Sequence, residues 1–133
     1  MQARSWLEWD RQLCGILVVM DCIFCKIAAG EIPAKKLYED EYAVAFADID
    51  PKAPVHMLII PRQHIASLAE VGASEPEKTL IGHLHSIANQ LARQQNLGKG
   101  YRIVINTGPD GGQTVDHLHL HLLGGRQMHW PPG

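Results

Sequence analysis

Three histidines alternate with leucines near the C-terminal end of the 133-residue chain, as His117-Leu118-His119-Leu120-His121. Side chains of a β-strand alternate between its two faces, so a strand over residues 115–123 would place the imidazoles on one face and the leucines in the core. Three positive charges on one face would repel, so we expect some of these imidazoles to be neutral near pH 7. A neutral imidazole is a nucleophile, a general base or a metal ligand, which makes this segment the first candidate for chemistry.

A glycine-rich loop precedes the histidines. Gly108, Gly111 and Gly112 allow the backbone to come close to a ligand, and Gln113 and Thr114 add side-chain donors. Successive N–H groups in such a turn form a nest that binds an anion. By itself the loop is more typical of an ordinary hairpin, but beside three histidines it predicts a phosphate cradle.

Turn-forming residues divide the chain into the helices and strands that must position these residues. Short apolar runs between turn residues predict strands over residues 37–39, 42–48, 56–60, 101–106 and 115–123. Ser74 and Glu77 have capping-box spacing and apolar residues recur at helical spacing from Leu80 to Leu91, so a long helix is predicted from Ser74 to about Gly98. A short helix is predicted over residues 65–71. This order indicates an α+β domain with a mostly antiparallel five-stranded sheet.

Composition restricts the class of protein. Apolar residues make up 46% of the chain, charged residues 20%, and the net charge is -2, which is typical of one ordinary soluble domain. The near balance of charge argues against nucleic-acid binding through a basic surface, and no apolar run is long enough to cross a membrane. Because Met20 is a plausible start, we expect residues 1–19 to be an extension outside the fold and the protein to be cytoplasmic.

From about Ile23 to Gly133 the chain resembles the histidine triad (HIT) superfamily, and within it the branch of histidine triad nucleotide-binding proteins. The signature is matched by residues 117–123, and further matches are Ala45-Phe46-Ala47-Asp48-Ile49, Asn106, Gly111-Gly112-Gln113 and the tail over residues 124–133. The resemblance implies a HIT-like fold over residues 20–133. It also implies a homodimer in which the two sheets become continuous.

The resemblance further implies a purine nucleoside phosphoramidase. His119 would attack the α-phosphorus of an adenosine or guanosine 5′-phosphoramidate and expel the amine, and water would then release AMP or GMP from the nucleotidyl-histidine. His121 and the segment Gly112, Gln113 and Thr114 would contact the phosphate. His56 would support the site, and His117 completes the implied catalytic group.

The nucleotide site implied by the resemblance extends to both sides of these histidines. Asn106 would hold the ribose-phosphate and Asp48 the ribose hydroxyls. The base pocket would be lined by apolar residues, namely Ile23, Phe24, Ile27, Phe46 and Ile49. For Phe46 and Ile27, a purely core role carries nearly equal weight.

A metal site is implied by relatives that pair a Cys-x-x-Cys sequence with two histidines. In this chain those residues are Cys22, Cys25, His64 and His117, and two sulfurs with two nitrogens suit tetrahedral zinc. The alternative is two packed thiols. We expect no organic cofactor.

Three other functions remain open at this point. His-x-His pairs also hold catalytic zinc, although no acidic cluster accompanies them here. A non-catalytic nucleotide-binding regulatory module would use the same pocket without turnover. Within the superfamily, a dinucleoside polyphosphate hydrolase is the nearest competitor.

Overall fold

The structure is a computed structural model that describes residues 22–133, so the prediction for residues 1–19 lies outside it. The elements, in chain order, are α1 (Ile23–Ala28), β1 (Lys36–Glu39), β2 (Ala43–Ala47), β3 (Val55–Pro61), a 3-10 turn (Leu68–Glu70), α2 (Glu75–Gln94), β4 (Tyr101–Val104) and β5 (Leu120–Gly124). The strands form one antiparallel sheet in the order β1-β2-β3-β5-β4. The predicted α+β class with a five-stranded sheet is confirmed. Within residues 22–133, no helix has the length and apolar character needed to cross a membrane.

The two faces of the sheet are covered by different helices. Alternate residues of β2 and β3 pack against α2, and Leu118, Leu120 and Leu122 join this core as predicted. The intervening residues form a second core with α1, made of Phe24, Cys25, Ile27, Val44, Phe46, Leu58 and Ile60. The histidines therefore share the side of the sheet that the short helix α1 covers, not the side of α2.

Helix α2 begins where the capping-box spacing predicts and ends slightly earlier than Gly98. The Ser74 side chain accepts the N–H of Glu77 at 3.3 Å, which satisfies one free donor of the first turn. At the other end Asn96 has a φ of 58°, and the N–H of Leu97 donates to the carbonyl of Ala92 at 3.0 Å. This pattern is a left-handed C-terminal cap, and asparagine occupies the position expected for glycine.

The last strand is shorter than predicted. Strand β5 begins at Leu120 and not at residue 115, because the preceding backbone bonds to a loop instead of a strand. The N–H of Leu118 donates to the carbonyl of Ile65 at 2.6 Å, and the N–H of His117 donates to the carbonyl of Val115 at 2.9 Å. The predicted strand over residues 115–123 is therefore too long, and only His121 of the three histidines lies within β5, although all three lie on the α1 side of the sheet.

The short helix is α1, not the predicted segment 65–71. That segment forms only the 3-10 turn, since the carbonyls of Ile65 and Ala66 accept bonds from the loop before β5 and are not available to a helix. Helix α1 was missed because it spans six residues, too few for a clear periodicity. The Cys22 sulfur caps it by accepting the N–H of Cys25 at 3.3 Å.

Candidate active site

Two groups of metal-ligand residue types lie on the α1 side of the sheet, each with its ligand atoms within 4.8 Å of one another. We call Cys22, Cys25, His64 and His117 the thiol cluster, and Asp48, His56 and His121 the imidazole cluster. Strands β3 and β5 carry the two histidines of the imidazole cluster, in a register where Leu58 faces His121. His56 is two residues from Leu58, so both imidazoles lie on the same face of adjacent strands.

A chain of hydrogen bonds orders the protons of the imidazole cluster. The backbone N–H of Lys52 donates to His56 Nδ1 at 3.0 Å, so neutral His56 carries its proton on Nε2. That Nε2–H donates to His121 Nδ1 at 2.9 Å, and Asp48 Oδ2 lies 3.3 Å from the same nitrogen of His56. Because His121 Nδ1 accepts, neutral His121 carries its own proton on Nε2. His121 is therefore a hydrogen-bond donor toward a ligand.

His119 carries its proton on Nδ1, whereas His56 and His121 carry theirs on Nε2. Its Nδ1 donates to the backbone carbonyl of His117 at 2.7 Å, so the lone pair of the neutral ring is on Nε2. The His119 ring is 5% exposed and packs edge-on against Phe24, with centroids 5.1 Å apart. The His121 ring lies next to it at a centroid distance of 5.0 Å. A buried imidazole with a lone pair on Nε2 beside an imidazole donor has the chemistry to act as a nucleophile next to an anion-binding group.

Burial keeps the two imidazoles of this cluster neutral at physiological pH. Desolvation, with smaller contributions from the nearby His119 and His56, lowers the pKa of His121 to about 4. Burial likewise lowers the pKa of His56, although the Asp48 carboxylate acts in the other direction. The protons of this cluster therefore occupy defined nitrogens near pH 7.

The thiol cluster has the geometry of a tetrahedral zinc site. His117 Nδ1 lies 3.2 Å from the Cys22 sulfur and 3.5 Å from the Cys25 sulfur, and His64 Nδ1 lies 3.5 Å from the Cys25 sulfur. Ideal zinc–sulfur and zinc–nitrogen bonds at tetrahedral angles require about 3.6 Å between such atoms. Cys25 and His117 are fully buried.

His117 carries its proton on Nε2, which leaves a lone pair on Nδ1, the nitrogen nearest the sulfurs. His117 Nε2 donates to the carbonyl of Pro61 at 2.8 Å, so Nδ1 presents its lone pair to the two sulfurs. Burial also lowers the pKa of His117 to about 4, which keeps the ring neutral. The residues of the thiol cluster thus fit a zinc ion by distance, ligand type and tautomer.

The imidazole cluster does not fit a metal in the same way. A metal on His56 Nε2 would need a lone pair there, but the Lys52 N–H holds the lone pair on Nδ1. This hydrogen bond argues against a metal held by His56 Nε2 in the imidazole cluster. The hydrogen bonds of this cluster hold one proton on Nε2 of each histidine.

The glycine loop is braced by the side chain of Gln113. Its Oε1 accepts the N–H of Gly108 at 3.0 Å, and its Nε2 donates to the carbonyls of Ala66 and Val115 at 2.7 and 2.9 Å. The N–H groups of Gly112 and Gln113 donate within the loop, to Pro109 at 3.0 Å and to Gly108 at 3.1 Å. These two N–H groups, expected to form an anion nest, are thus already occupied. Gln113 positions the loop before His117 in this conformation.

The residues expected to hold the ribose lie next to the histidines. Asp48 follows β2, and its Oδ1 accepts the N–H of Asp50 at 2.8 Å, which fixes the carboxylate beside His56. Asn106 follows β4, and its Oδ1 is buried with no hydrogen-bond partner, so it is free to accept from a ligand. A Cβ on Gly112, whose φ is 78°, would lie 3.3 Å from the Asn106 amide nitrogen.

The residues expected to line the base pocket divide into two classes. Ile49 is completely exposed and Ile23 is about half exposed, so both apolar side chains are accessible to a ligand. Phe24 and Phe46 are buried and meet edge to face at 5.5 Å. Ile27 is also buried in this second core, so the core alternative for Phe46 and Ile27 is the better description of their packing.

Sequence reasoning missed the groups that set the two tautomers. These are the backbone N–H of Lys52 and the backbone carbonyl of Pro61. Backbone groups occur at every residue, so no residue type could have marked them. The short spacing of four residues from Lys52, in a loop, to His56, near the start of β3, was the only available signal.

Comparison with known proteins settles the family. The HIT domain model matches residues 29–128. The chain belongs to the HIT domain family. A HIT-like protein of Synechococcus elongatus, described as uncharacterized, is 56% identical over 113 residues, which are 85% of this chain and 97% of the relative. A "14 kDa zinc-binding protein" of Zea mays is 50% identical over 111 residues, covering 84% of this HIT protein and 87% of the relative.

Solved structures of HIT proteins superpose closely on this one. A HIT family hydrolase from Legionella pneumophila has a TM-score of 0.81 at 50% identity, covering 85% of this chain and all of that chain. A histidine triad nucleotide-binding protein from Candida albicans has a TM-score of 0.71 at 34% identity, covering 84% and 83% of the two chains.

Proposed function

We propose that this HIT protein hydrolyses the P–N bond of purine nucleoside 5′-phosphoramidates, of adenosine or guanosine. One observation carries the proposal: adjacent imidazoles hold opposite tautomers, with a lone pair on His119 Nε2 and a proton on His121 Nε2. A nucleophile beside a fixed donor suits attack on a phosphorus whose oxygens gain charge. The nucleotide-binding relative from Candida albicans supports a nucleotide as the substrate.

The reaction has two displacements at phosphorus. His119 Nε2 forms a bond to the α-phosphorus while the P–N bond breaks, and the amine takes up a proton as it leaves. Water then attacks the nucleotidyl-histidine, breaks the bond between phosphorus and His119, and releases the nucleoside monophosphate. The His121 Nε2–H donates to a phosphoryl oxygen in both steps, and His56 positions His121.

The nucleotide is held by the residues around these imidazoles. We assign Asp48 to the ribose hydroxyls, Asn106 to the ribose-phosphate, and the hydroxyl of Thr114 to the phosphate. Gly112 and Gln113 belong to the loop that precedes Thr114. The base lies against the apolar side chains, with the exposed Ile23 and Ile49 outside the buried Phe24 and Phe46.

Trapping of the covalent intermediate tests this proposal. The protein is mixed with an adenosine 5′-phosphoramidate, quenched with base, digested and searched by mass spectrometry for an adenylylated peptide that contains His119. We expect AMP release and adenylylation of His119. Faster turnover of a diadenosine polyphosphate would favour the dinucleoside polyphosphate hydrolase, and tight AMP binding with no turnover of either substrate would favour the regulatory module.

We also propose that Cys22, Cys25, His64 and His117 hold one structural zinc ion. Support comes from the fit of the thiol cluster and from the zinc-binding relative of Zea mays. The ion would cross-link α1, the segment after β3 and the segment before β5, and would take no part in bond breaking. Elemental analysis of protein purified without added metal is expected to give about one zinc per chain. Stable, active protein without zinc would overturn this assignment.

Two further proposals concern the state of the protein in the cell. We propose a homodimer, because β4 is an edge strand of the sheet and a second β4 would continue it. Light scattering is expected to give the mass of two chains. We propose a cytoplasmic location, and fractionation of cells tests it.

A further inference from the structure

We infer that Arg126, in the segment after β5, is a positioning residue for the imidazole cluster. Arg126 holds the loop over residues 50–54, whose Lys52 N–H sets the proton of His56 and, through His56, the proton of His121. The inference deepens the proposed function and rests on it for the catalytic consequence. The effect on the protons themselves is independent of the substrate.

The C-terminal segment contacts this loop at two points. The Nε and Nη2 groups of Arg126 donate to the backbone carbonyl of Lys52 at 3.4 and 3.2 Å, so one edge of the guanidinium meets this oxygen, while Nη1 donates to the carbonyl of Gln127 at 3.2 Å. Gly125 has a φ of 89° and lies against Pro54, and a Cβ at Gly125 would be 2.9 Å from the Pro54 Cβ. Glycine is required there both for the conformation and for the close approach.

The loop has few other attachments. Pro51 and Pro54 have no N–H to donate, and Lys52 and Pro54 are exposed. The ion pair between the side chains of Lys52 and Asp50, at 2.7 Å, is itself exposed to water and holds the loop weakly. Only Ala53 is buried. The Lys52 N–H and C=O belong to consecutive peptide units. The first is bound to His56 and the second to Arg126, and the Asp50 N–H anchors the start of the loop on Asp48.

Displacement of the Lys52 N–H would remove the donor that keeps the His56 proton on Nε2 and would leave the Asp48 carboxylate, 3.3 Å from Nε2, as the remaining group that favours this tautomer. Without the Lys52 N–H, the His56 proton is free to move to Nδ1, and His56 Nε2 then accepts from His121 instead of donating to it. His121 would carry its proton on Nδ1 and lose the Nε2–H that faces the phosphate. Since that donor acts mainly as charge develops in the transition state, the loss should lower kcat more than it raises KM.

Three variants test the inference. Arg126→Gln removes the fork, Arg126→Lys keeps the charge with one donor group, and Gly125→Ala disturbs the same contact from the neighbouring residue. Arg102→Gln is the matched control, because Arg102 also donates to a backbone carbonyl of the tail, that of His129 at 2.9 Å, without touching the loop.

The first readout is the tautomer, measured by ¹⁵N NMR of histidine-labelled protein at pH 7.5. In the wild type and in Arg102→Gln, we expect His56 and His121 to be protonated on Nε2. In Arg126→Gln and Gly125→Ala, a population protonated on Nδ1 should appear, with partial recovery of the wild-type spectrum in Arg126→Lys. Unchanged tautomers in both Arg126→Gln and Gly125→Ala would overturn the inference.

The second readout is turnover of an adenosine 5′-phosphoramidate. Arg126→Gln should lower kcat about tenfold with KM within about twofold, less than the ~10²-fold expected for loss of the phosphate donor itself. If the wild type shows no turnover, the proposed function fails, whereas the NMR result still decides the role of Arg126. A changed tautomer with unchanged kcat would overturn the catalytic part of the inference.

Discussion

The thiol cluster and the imidazole cluster differ in which nitrogen of a buried histidine faces the other members of its cluster. In the thiol cluster, a backbone carbonyl accepts from His117 Nε2 and turns the Nδ1 lone pair toward two sulfurs. In the imidazole cluster, a backbone N–H donates to His56 Nδ1 and turns the Nε2 proton toward His121. The polarity of one backbone group thus decides whether a histidine suits a metal or passes on a hydrogen bond.

His119 belongs to neither cluster and lies between them. Its Nδ1 donates to the backbone carbonyl of His117, and its ring centroid lies 5.0 Å from that of His121, so the proposed nucleophile is oriented by the main chain of a thiol-cluster residue. This arrangement implies separate duties. The thiol cluster should govern stability, the imidazole cluster should govern turnover, and variants of each test that separation.

The largest effect is expected from removal of the nucleophile. His119→Ala should lower kcat by about 10⁴-fold or more, because no other lone pair replaces Nε2 of His119 at phosphorus. The variant should retain zinc and its melting temperature to within a few degrees. Steady-state assays with an adenosine phosphoramidate measure the rate, and His85→Ala, on the exposed face of α2, is the control. Turnover by His119→Ala at the wild-type rate would contradict the mechanism.

Loss of the metal from the thiol cluster should have the largest effect on stability. Chelation of zinc, or Cys25→Ala, should lower the free energy of unfolding by about 3 kcal/mol or more, since three separated segments lose their cross-link. Urea unfolding with and without chelator measures the loss. Chelator should have no further effect on Cys25→Ala. If the wild type unfolds at the same urea concentration with and without chelator, zinc in the thiol cluster does not stabilise the fold.

His56→Leu should lower turnover and leave zinc binding intact, which is the reverse of the effect expected for variants of the thiol cluster. Without the His56 donor, the His121 proton is no longer held on Nε2, and kcat should fall about 10²-fold. Zinc content should stay at the wild-type value because His56 contacts no thiol-cluster residue in the hydrogen bonds of residues 22–133. Kinetics and elemental analysis of the same preparation measure both. Loss of zinc with full kcat would reverse the assignment of duties.

The smallest effect concerns acid stability. Burial first, then the charges of His119 and His56, lowers the pKa of folded His121 to about 4, below the usual value of about 6.5 in the unfolded chain. The unfolded state therefore binds the proton first, so the contribution of His121 is complete above pH 6.5 and is lost as the pH falls toward 4. Because His121 is only half-buried, we expect about 1–2 kcal/mol.

Urea unfolding between pH 7 and pH 4.5 checks this prediction. His121→Gln should reduce the loss of stability over that range, since glutamine does not titrate. His85→Gln should leave the loss unchanged, because the His85 side chain is exposed. Equal acid sensitivity of the wild type and His121→Gln would show that the burial of His121 does not oppose its protonation.

Much of the fold and of the site was accessible from residue types. The leucines of the triad segment reach the predicted core, and the cap at Ser74 starts α2 where the spacing indicates. The alternation predicted the common side of His117, His119 and His121 but not that β5 begins only at Leu120. A period of two holds only while the chain is a strand, and the carbonyl of Ile65 diverts the backbone until Leu120.

The sequence by itself determined the family signature, the residue types of both clusters and the amphipathic pattern of α2, because side-chain chemistry and periodicity are properties of residue order. Only the tertiary structure decided which cluster suits a metal and which holds protons. That choice depends on the Pro61 carbonyl, the Lys52 N–H and the Arg126 contact with Lys52, which meet the histidines through folding. Hydrogen-bond polarity at a buried ring is set by the neighbour in space, and residue order does not specify that neighbour.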